Sequence, residues 1–189
     1  MESLKNALTF GGILSEKEVE HVASSFEVEW LDSGDNFLKL GGYSNHIGFV
    51  DEGILRVFIV GGEAEETTKY FVRKGQFALD IESFYEDSPS RSAIQAVVKS
   101  KILSISRKKW NRLYEEIPKL YILTKSLTEA GLLNKIKDNE FLDFGSAKDK
   151  YLEFIKRYPD LAVKVPQKYI ASYLQITPQS LSRIRKELL

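Results

Sequence analysis

The spacing of apolar positions changes twice along the chain. Over residues 3–25 it is helical, with Val19, Val22, Ala23 and Phe26 on one face, and Ser15-Glu16-Lys17-Glu18 has the form of a capping box. From Phe26 the pattern alternates strictly through Glu27, Val28, Glu29 and Trp30, as in a half-buried strand. Further strands are predicted at His46–Val50, Ile54–Val60, Thr67–Val72, Ala93–Val98 and Lys101–Ser106. Turn residues separate them at Asp32–Asn36, at Gly41-Gly42 with Ser44-Asn45, and at Gly61-Gly62. Many short strands broken by glycine and aspartate predict an antiparallel barrel or jelly roll.

Helical spacing returns after Arg107. A short helix is predicted over Arg107–Glu116 and a longer one from Pro118. In the longer helix Leu120, Leu123, Leu127 and Ala130 repeat at 3-4-3 spacing, which suits either a seam with a second copy or a face packed on the barrel. The segment Phe141–Ala147, with Gly145 and Ser146, is the predicted hinge. A helix over Lys148–Tyr158, ended by Pro159, then opens the last domain. The division expected is a barrel at 1–117, a long helix at 118–140 and a helical domain at 141–189, an α+β fold overall.

The stretch Val163–Leu189 is the most informative. Pro166 suits a first helical turn, and Ile170, Tyr173 and Leu174 follow at helical spacing. After the interruption Gln175-Ile176-Thr177, Thr177 is a good N-cap and Pro178 a good first residue. Leu181, Ile184 and Leu188 then form a second buried stripe. Two short amphipathic helices joined by a three-residue turn predict a helix-turn-helix, whose second helix enters the major groove. Gln179, Ser180, Ser182, Arg183 and Lys186 lie off the apolar stripe and would face a partner; arginine pairs bidentately with guanine and glutamine with adenine. The plainer alternative is a helical hairpin packed on the rest of the chain, with a solvated basic face. Cap chemistry at the turn, and a second helix with no later sequence to cover it, favour the groove reader.

Composition changes this picture in one respect. The formal net charge is zero, yet from Lys148 onward nine basic residues stand against four acidic ones, a surplus of five. The remainder of the chain is correspondingly acidic. The asymmetry has the sign that phosphate neutralisation needs. No apolar run approaches a membrane span and no signal peptide is evident, so a cytoplasmic location is expected. With no cysteine and only His21 and His46, neither a disulfide framework nor a haem or zinc site is expected. The chain carries no Walker-type loop, G-x-S-x-G elbow or G-x-G-x-x-G fingerprint, and no enzyme is expected.

The segment PQKYIASYLQITPQSLSRIRKEL resembles the helix-turn-helix of the Crp/Fnr family, in the version common among Bacteroidetes regulators. The resemblance implies base reading by Gln179 and Arg183 and a backbone contact at Thr177. Pro178 stands where the family's catabolite activator has a base-reading arginine, so a different operator is implied. Ser182 belongs to the same reading face, and Lys168 and Lys186 are the expected phosphate contacts. The long helix would be the dimer interface, and the absence of cysteine rules out the iron–sulfur cluster by which some Fnr relatives sense oxygen.

A second segment, GQFALDIESFYEDSPSRSA at Gly75–Ala93, resembles the phosphate-binding cassette of cyclic-nucleotide-binding domains. Arg91, Ser92 and Ala93 match its Arg-Ser-Ala, and arginine would pair with the phosphate. The cassette's ligand-binding Gly-Glu pair falls on Leu79-Asp80, where a leucine fills the close approach and an aspartate reaches less far than glutamate. The adenine-contacting Thr-Ser pair should fall near Leu133–Lys137, which has no hydroxyl. Cyclic AMP is therefore not the expected effector. Leu79, Asp80, Arg91 and Ser92 are the candidate effector residues for some other small anion, or else the pocket is filled by side chains such as Leu79 and Phe77. Structural roles compete: Arg91 could pair with Asp80, Glu86 or Asp87, while Glu82 and His46 read as loop and strand residues. The implied function is a one-component transcription regulator. Its partners would be double-stranded DNA, a second copy of the chain and RNA polymerase, with no membrane. A ligand-binding module acting through protein contacts, with a vestigial helix-turn-helix, is the alternative.

Overall fold

The computed structural model describes residues 1–62 and 65–188. Its strands are β1 Glu27–Leu31, β2 Asn36–Leu38, β3 His46–Glu52, β4 Ile54–Val60, β5 Glu66–Arg73, β6 Phe77–Ala78, β7 Ala93–Ala96 and β8 Ser100–Ser106. They form two antiparallel sheets, in the orders β1-β8-β3-β6 and β2-β7-β4-β5. Consecutive strands are thus spread over both sheets, as in a jelly roll. Residues that alternate inward from the two sheets, including Val50, Leu55, Val57, Val72, Ile94 and Ile102, fill the barrel core, with Phe37 and Tyr70 against it.

The helices are α1 Glu2–Leu8, α2 Glu16–Ser24, α3 Ile81–Glu86, α4 Arg107–Glu116, α5 Lys119–Asp143, α6 Ala147–Arg157, α7 Pro159–Lys164, α8 Gln167–Tyr173 and α9 Pro178–Glu187. The single helix expected over residues 3–25 is two. Gly11 and Gly12 take positive φ of 68° and 63°, which ends the first before the Ser15 capping box starts the second. Pro159 does not merely end α6. It opens α7, because a proline costs no hydrogen bond in a first helical turn. The break between α5 and α6 is narrower than expected: Phe141 and Leu142 are still helical, and Gly145, at φ 86°, precedes the Ser146 capping box of α6.

Two further cores flank the barrel. Helices α1, α2, α4 and the start of α5 pack on the outer side of the first sheet, around Ile47, Phe49, Leu103, Ile105 and Trp110. The C-terminal helices share a core of Phe154, Ile170, Leu174, Leu181 and Ile184 that also takes in Ile54 and Val97 of the barrel. Leu120 and Leu123 are completely buried in the first of these cores and Leu127 packs against it. Of the two roles their spacing allowed, they take the intrachain one, and the seam proposed on them is corrected. The large apolar residues that α5 leaves exposed are Tyr121, Ile122, Leu132, Leu133 and Ile136, each more than half accessible.

Candidate functional site

The helix-turn-helix forms from local chemistry, as its sequence indicates. Thr177 is the N-cap of α9 and its hydroxyl accepts the Ser180 N–H at 3.1 Å, while Pro178 occupies the first turn. The Thr177 hydroxyl also donates to Ser180 Oγ at 2.9 Å, so its side chain is committed to the cap. Gln175 in the turn has φ 58°, a left-handed conformation that a non-glycine residue adopts at a cost of order 1–3 kcal/mol. Leu181 and Ile184 face inward against α6 and α8. Pro178, Gln179, Arg183 and Lys186 are exposed, as is Lys168 on α8, and Ser182 is half-buried. Gln179, Arg183 and Lys186 form one open polar and basic face of α9. Lys168 extends its ammonium 4.8 Å from the Tyr169 ring centre.

The barrel cassette is organised around Asp80. This residue caps α3 by accepting the Ser83 N–H at 3.1 Å, and its other carboxylate oxygen accepts the hydroxyls of Ser90 at 2.5 Å and Ser92 at 2.8 Å. Burial alone would raise the Asp80 pKa. The donors from Ser90, Ser83 and Ser92 outweigh it and hold the carboxyl below the usual range. Ser44 completes the web: its hydroxyl accepts the Asp80 N–H at 3.2 Å and its own N–H donates to Ser83 Oγ at 2.9 Å. Asp80 and Ser92, both candidate effector residues, are therefore bonded to each other. Leu79 is partly buried and packs, with Phe77, towards Phe84 and Phe49 beneath the barrel.

Arg91 stands apart. It is exposed and makes no ion pair among the described residues; Asp87, one of its expected partners, binds Arg107 instead at 2.6 Å. The polar group that does reach the barrel is Lys135 of α5, whose ammonium lies 3.3 Å from the Tyr70 ring centre. Burial pushes its pKa down to about 8 against the opposing pull of Asp80, and burial pushes the Tyr70 hydroxyl up to about 12. Sequence reasoning sought a hydroxyl in Leu133–Lys137 and passed over this cation. Two surface depressions are present as well: one of about 430 Å³ along α4, lined by Arg107, Lys108, Asn111, Arg112 and Glu115, and one of about 30 Å³ bordered by Phe37, Tyr43 and Ser44, beside the Asp80 web.

Residues 28–117 match the cyclic nucleotide-binding domain family. Over those residues the chain is similar to that family, and its fold as a whole is like that of several solved bacterial regulators. Among solved structures it resembles the c-di-GMP responsive global regulator CLP of Xanthomonas campestris, at 13% identity and a TM-score of 0.71 over 92% of this chain and 91% of that one. FixK2 from Bradyrhizobium japonicum matches at 17% identity and a TM-score of 0.69, over 86% and 84% of the two chains. The catabolite activator protein of Thermus thermophilus matches at 17% and 0.59, over 96% and 86%. No curated protein sequence matches the chain. At such identities the likeness speaks to fold; within the matched residues Asp80 is closed upon its own serines and Arg91 is exposed.

Proposed function

We propose that the protein is a one-component transcription regulator, not an enzyme, that binds palindromic double-stranded DNA as a homodimer and acts with RNA polymerase in the cytoplasm. The observation that carries this reading is the outer face of α9, where Gln179, Arg183 and Lys186 stand exposed on a capped helix of a helix-turn-helix. Arginine and glutamine side chains in that position meet base edges, and Lys168 and Lys186 meet phosphates. One recognition helix per chain reads one half-site. Two half-sites about 34–36 Å apart require two copies. The exposed Ile122, Leu132, Leu133 and Ile136 of α5 supply an apolar strip for pairing them. No helix among the described residues is long and apolar enough to cross a membrane.

Cyclic AMP is not the effector in this reading. Asp80 is occupied by Ser83, Ser90 and Ser92, and α5 brings Lys135 rather than a hydroxyl. The exposed Arg91, with Ser92, suits a small anion of different shape. Selection of binding sites from random duplexes, followed by footprinting, tests the function. Arg183→Ala should cost roughly 1–3 kcal/mol and relax preference at one base pair, whereas Lys168→Ala should weaken all sequences and flatten the salt dependence. Equal losses on operator and random DNA for Arg183→Ala would remove it as a reader, and no selected sequence at all would refute the regulator.

A further inference from the structure

Strand β4 reads Ile54-Leu55-Arg56-Val57-Phe58, and both of its faces are buried. Leu55 and Val57 point into the barrel. Arg56 and Phe58 point outward, to where α8 lies. Arg56 is 1% exposed, with its guanidinium between two rings: 4.0 Å from the centre of Phe58 and 3.7 Å from that of Tyr169 on α8. It donates to Gln95 Oε1 through Nε at 3.0 Å and Nη2 at 2.6 Å, and to Glu66 at 2.5 Å. Its Nη1 has no partner among the described residues.

The neighbouring strand repeats the theme. Arg73 of β5 lies 4.8 Å over the Tyr158 ring, and Phe71 meets Tyr173 edge-on at 5.5 Å. Strand β5 is the open edge of its sheet, and there the Thr68 N–H donates to Ser172 Oγ at 2.9 Å while that hydroxyl donates to the Glu66 carbonyl at 3.1 Å. Three tyrosines and one serine of the C-terminal domain are thus held by a single hairpin of the barrel. An edge strand covered in this way is no longer free to pair. A guanidinium buried between rings tolerates few alternative dockings, because any shift strips a ring face or a hydrogen bond from a buried charge. No hydrogen bond or ion pair ties Gln179, Arg183 or Lys186 to the barrel among the described residues.

We propose that the β4–β5 hairpin, through Arg56, Arg73, Phe71 and the open edge at Thr68, is a clamp that fixes the DNA-reading domain in one orientation with α9 facing outward. The clamp is built from the chain's own side chains, so the orientation is set without an effector. Its consequence for DNA rests on the regulator reading; the clamp itself does not. Two stiffly held recognition helices suit one half-site spacing, and loosening them spreads the dimer over many spacings.

Amide hydrogen exchange on the full-length protein without DNA tests the clamp, using Arg56→Ala and, from the other side, Tyr169→Ala. Exchange in 66–73 and 167–173 should quicken by about tenfold or more in both, with β3 and β8 unchanged. Should either variant loosen the whole barrel, Ser172→Ala removes only the hydroxyl and should speed the Thr68 amide selectively. Unchanged exchange at all these positions overturns the proposal. With operator DNA, Arg56→Ala should bind a two-half-site duplex about tenfold more weakly and a single half-site equally well. Tighter binding by the variant would mean that the clamp holds the reader away from DNA, and would overturn the orientation assigned here. A wild-type protein that binds no duplex fails the regulator reading, while the exchange result still decides the clamp.

Discussion

Asp80 sits where the cassette would place a ligand carboxylate, yet its bonds are those of a structural staple, and Asp80→Ala separates the two roles. The substitution removes the N-cap of α3, worth about 1 kcal/mol. It also removes an acceptor for two hydroxyls, and hydrogen bonds to a charged group contribute about 1.5–3 kcal/mol each. Those losses do not add in full. Ser90 Oγ already lies 2.7 Å from the Ser92 carbonyl and can turn to it. The net cost expected is about 2–3 kcal/mol, which for a chain of this size lowers the melting temperature by about 5–10 °C. Asp80→Asn keeps the cap and should lose about half as much. The pH dependence has a definite sign. Because the folded-state pKa is held below its ordinary value, the carboxylate's contribution is full above the ordinary aspartate range and is lost as pH falls through the folded value. Thermal unfolding of wild type and Asp80→Ala across the acid range should therefore converge at low pH. A carboxylate kept for a ligand typically costs stability, so an Asp80→Ala protein as stable as wild type or more so would refute the staple.

Three further outcomes follow from the geometry. Leu133→Glu with Ile136→Glu should give folded monomers by light scattering, whereas Leu123→Glu should unfold the N-terminal core; a Leu133/Ile136 variant that stays dimeric would displace the interface from this face of α5. Lys135→Met removes a charge whose pKa burial depresses to about 8, so the wild type alone should gain stability as pH rises from there towards the ordinary lysine range, a difference read by denaturant titration at pH 7 and pH 10. Cyclic AMP should bind no better than about millimolar, since each lost contact costs about 1–3 kcal/mol; a micromolar dissociation constant by calorimetry, abolished by Arg91→Ala, would reverse this.

What the sequence determined by itself is what short-range chemistry controls. The caps at Ser15 and Thr177 and the proline start of α9 depend on residues within one or two turns, and both helices of the helix-turn-helix were legible. Burial was less so: Leu188, expected on the buried stripe, lies past the end of α9 and is exposed, and Val28 and Trp30 of the alternating strand β1 face outward as well. The apolar stripe of α5 was equally visible, but a stripe says only that something covers it. The fold assigned Leu120 and Leu123 to the chain's own core and left Leu133 and Ile136 open, a choice made by the distant helices α1, α2 and α4. The same limit governs the site. Asp80 and Arg91 read as a ligand pair because they share a motif, yet Asp80 is satisfied by Ser90 and Ser92 once the cassette loop folds back, and Arg91 turns to solvent. Strand β4 carried a hint in its unbroken apolar run around Arg56, the mark of a strand covered on both faces. Which element covers it is settled over a separation of more than a hundred residues, by Tyr169 of α8 on Arg56, with Ser172 of the same helix holding the neighbouring strand β5. Pairing at that range depends on shape and burial that no local pattern encodes.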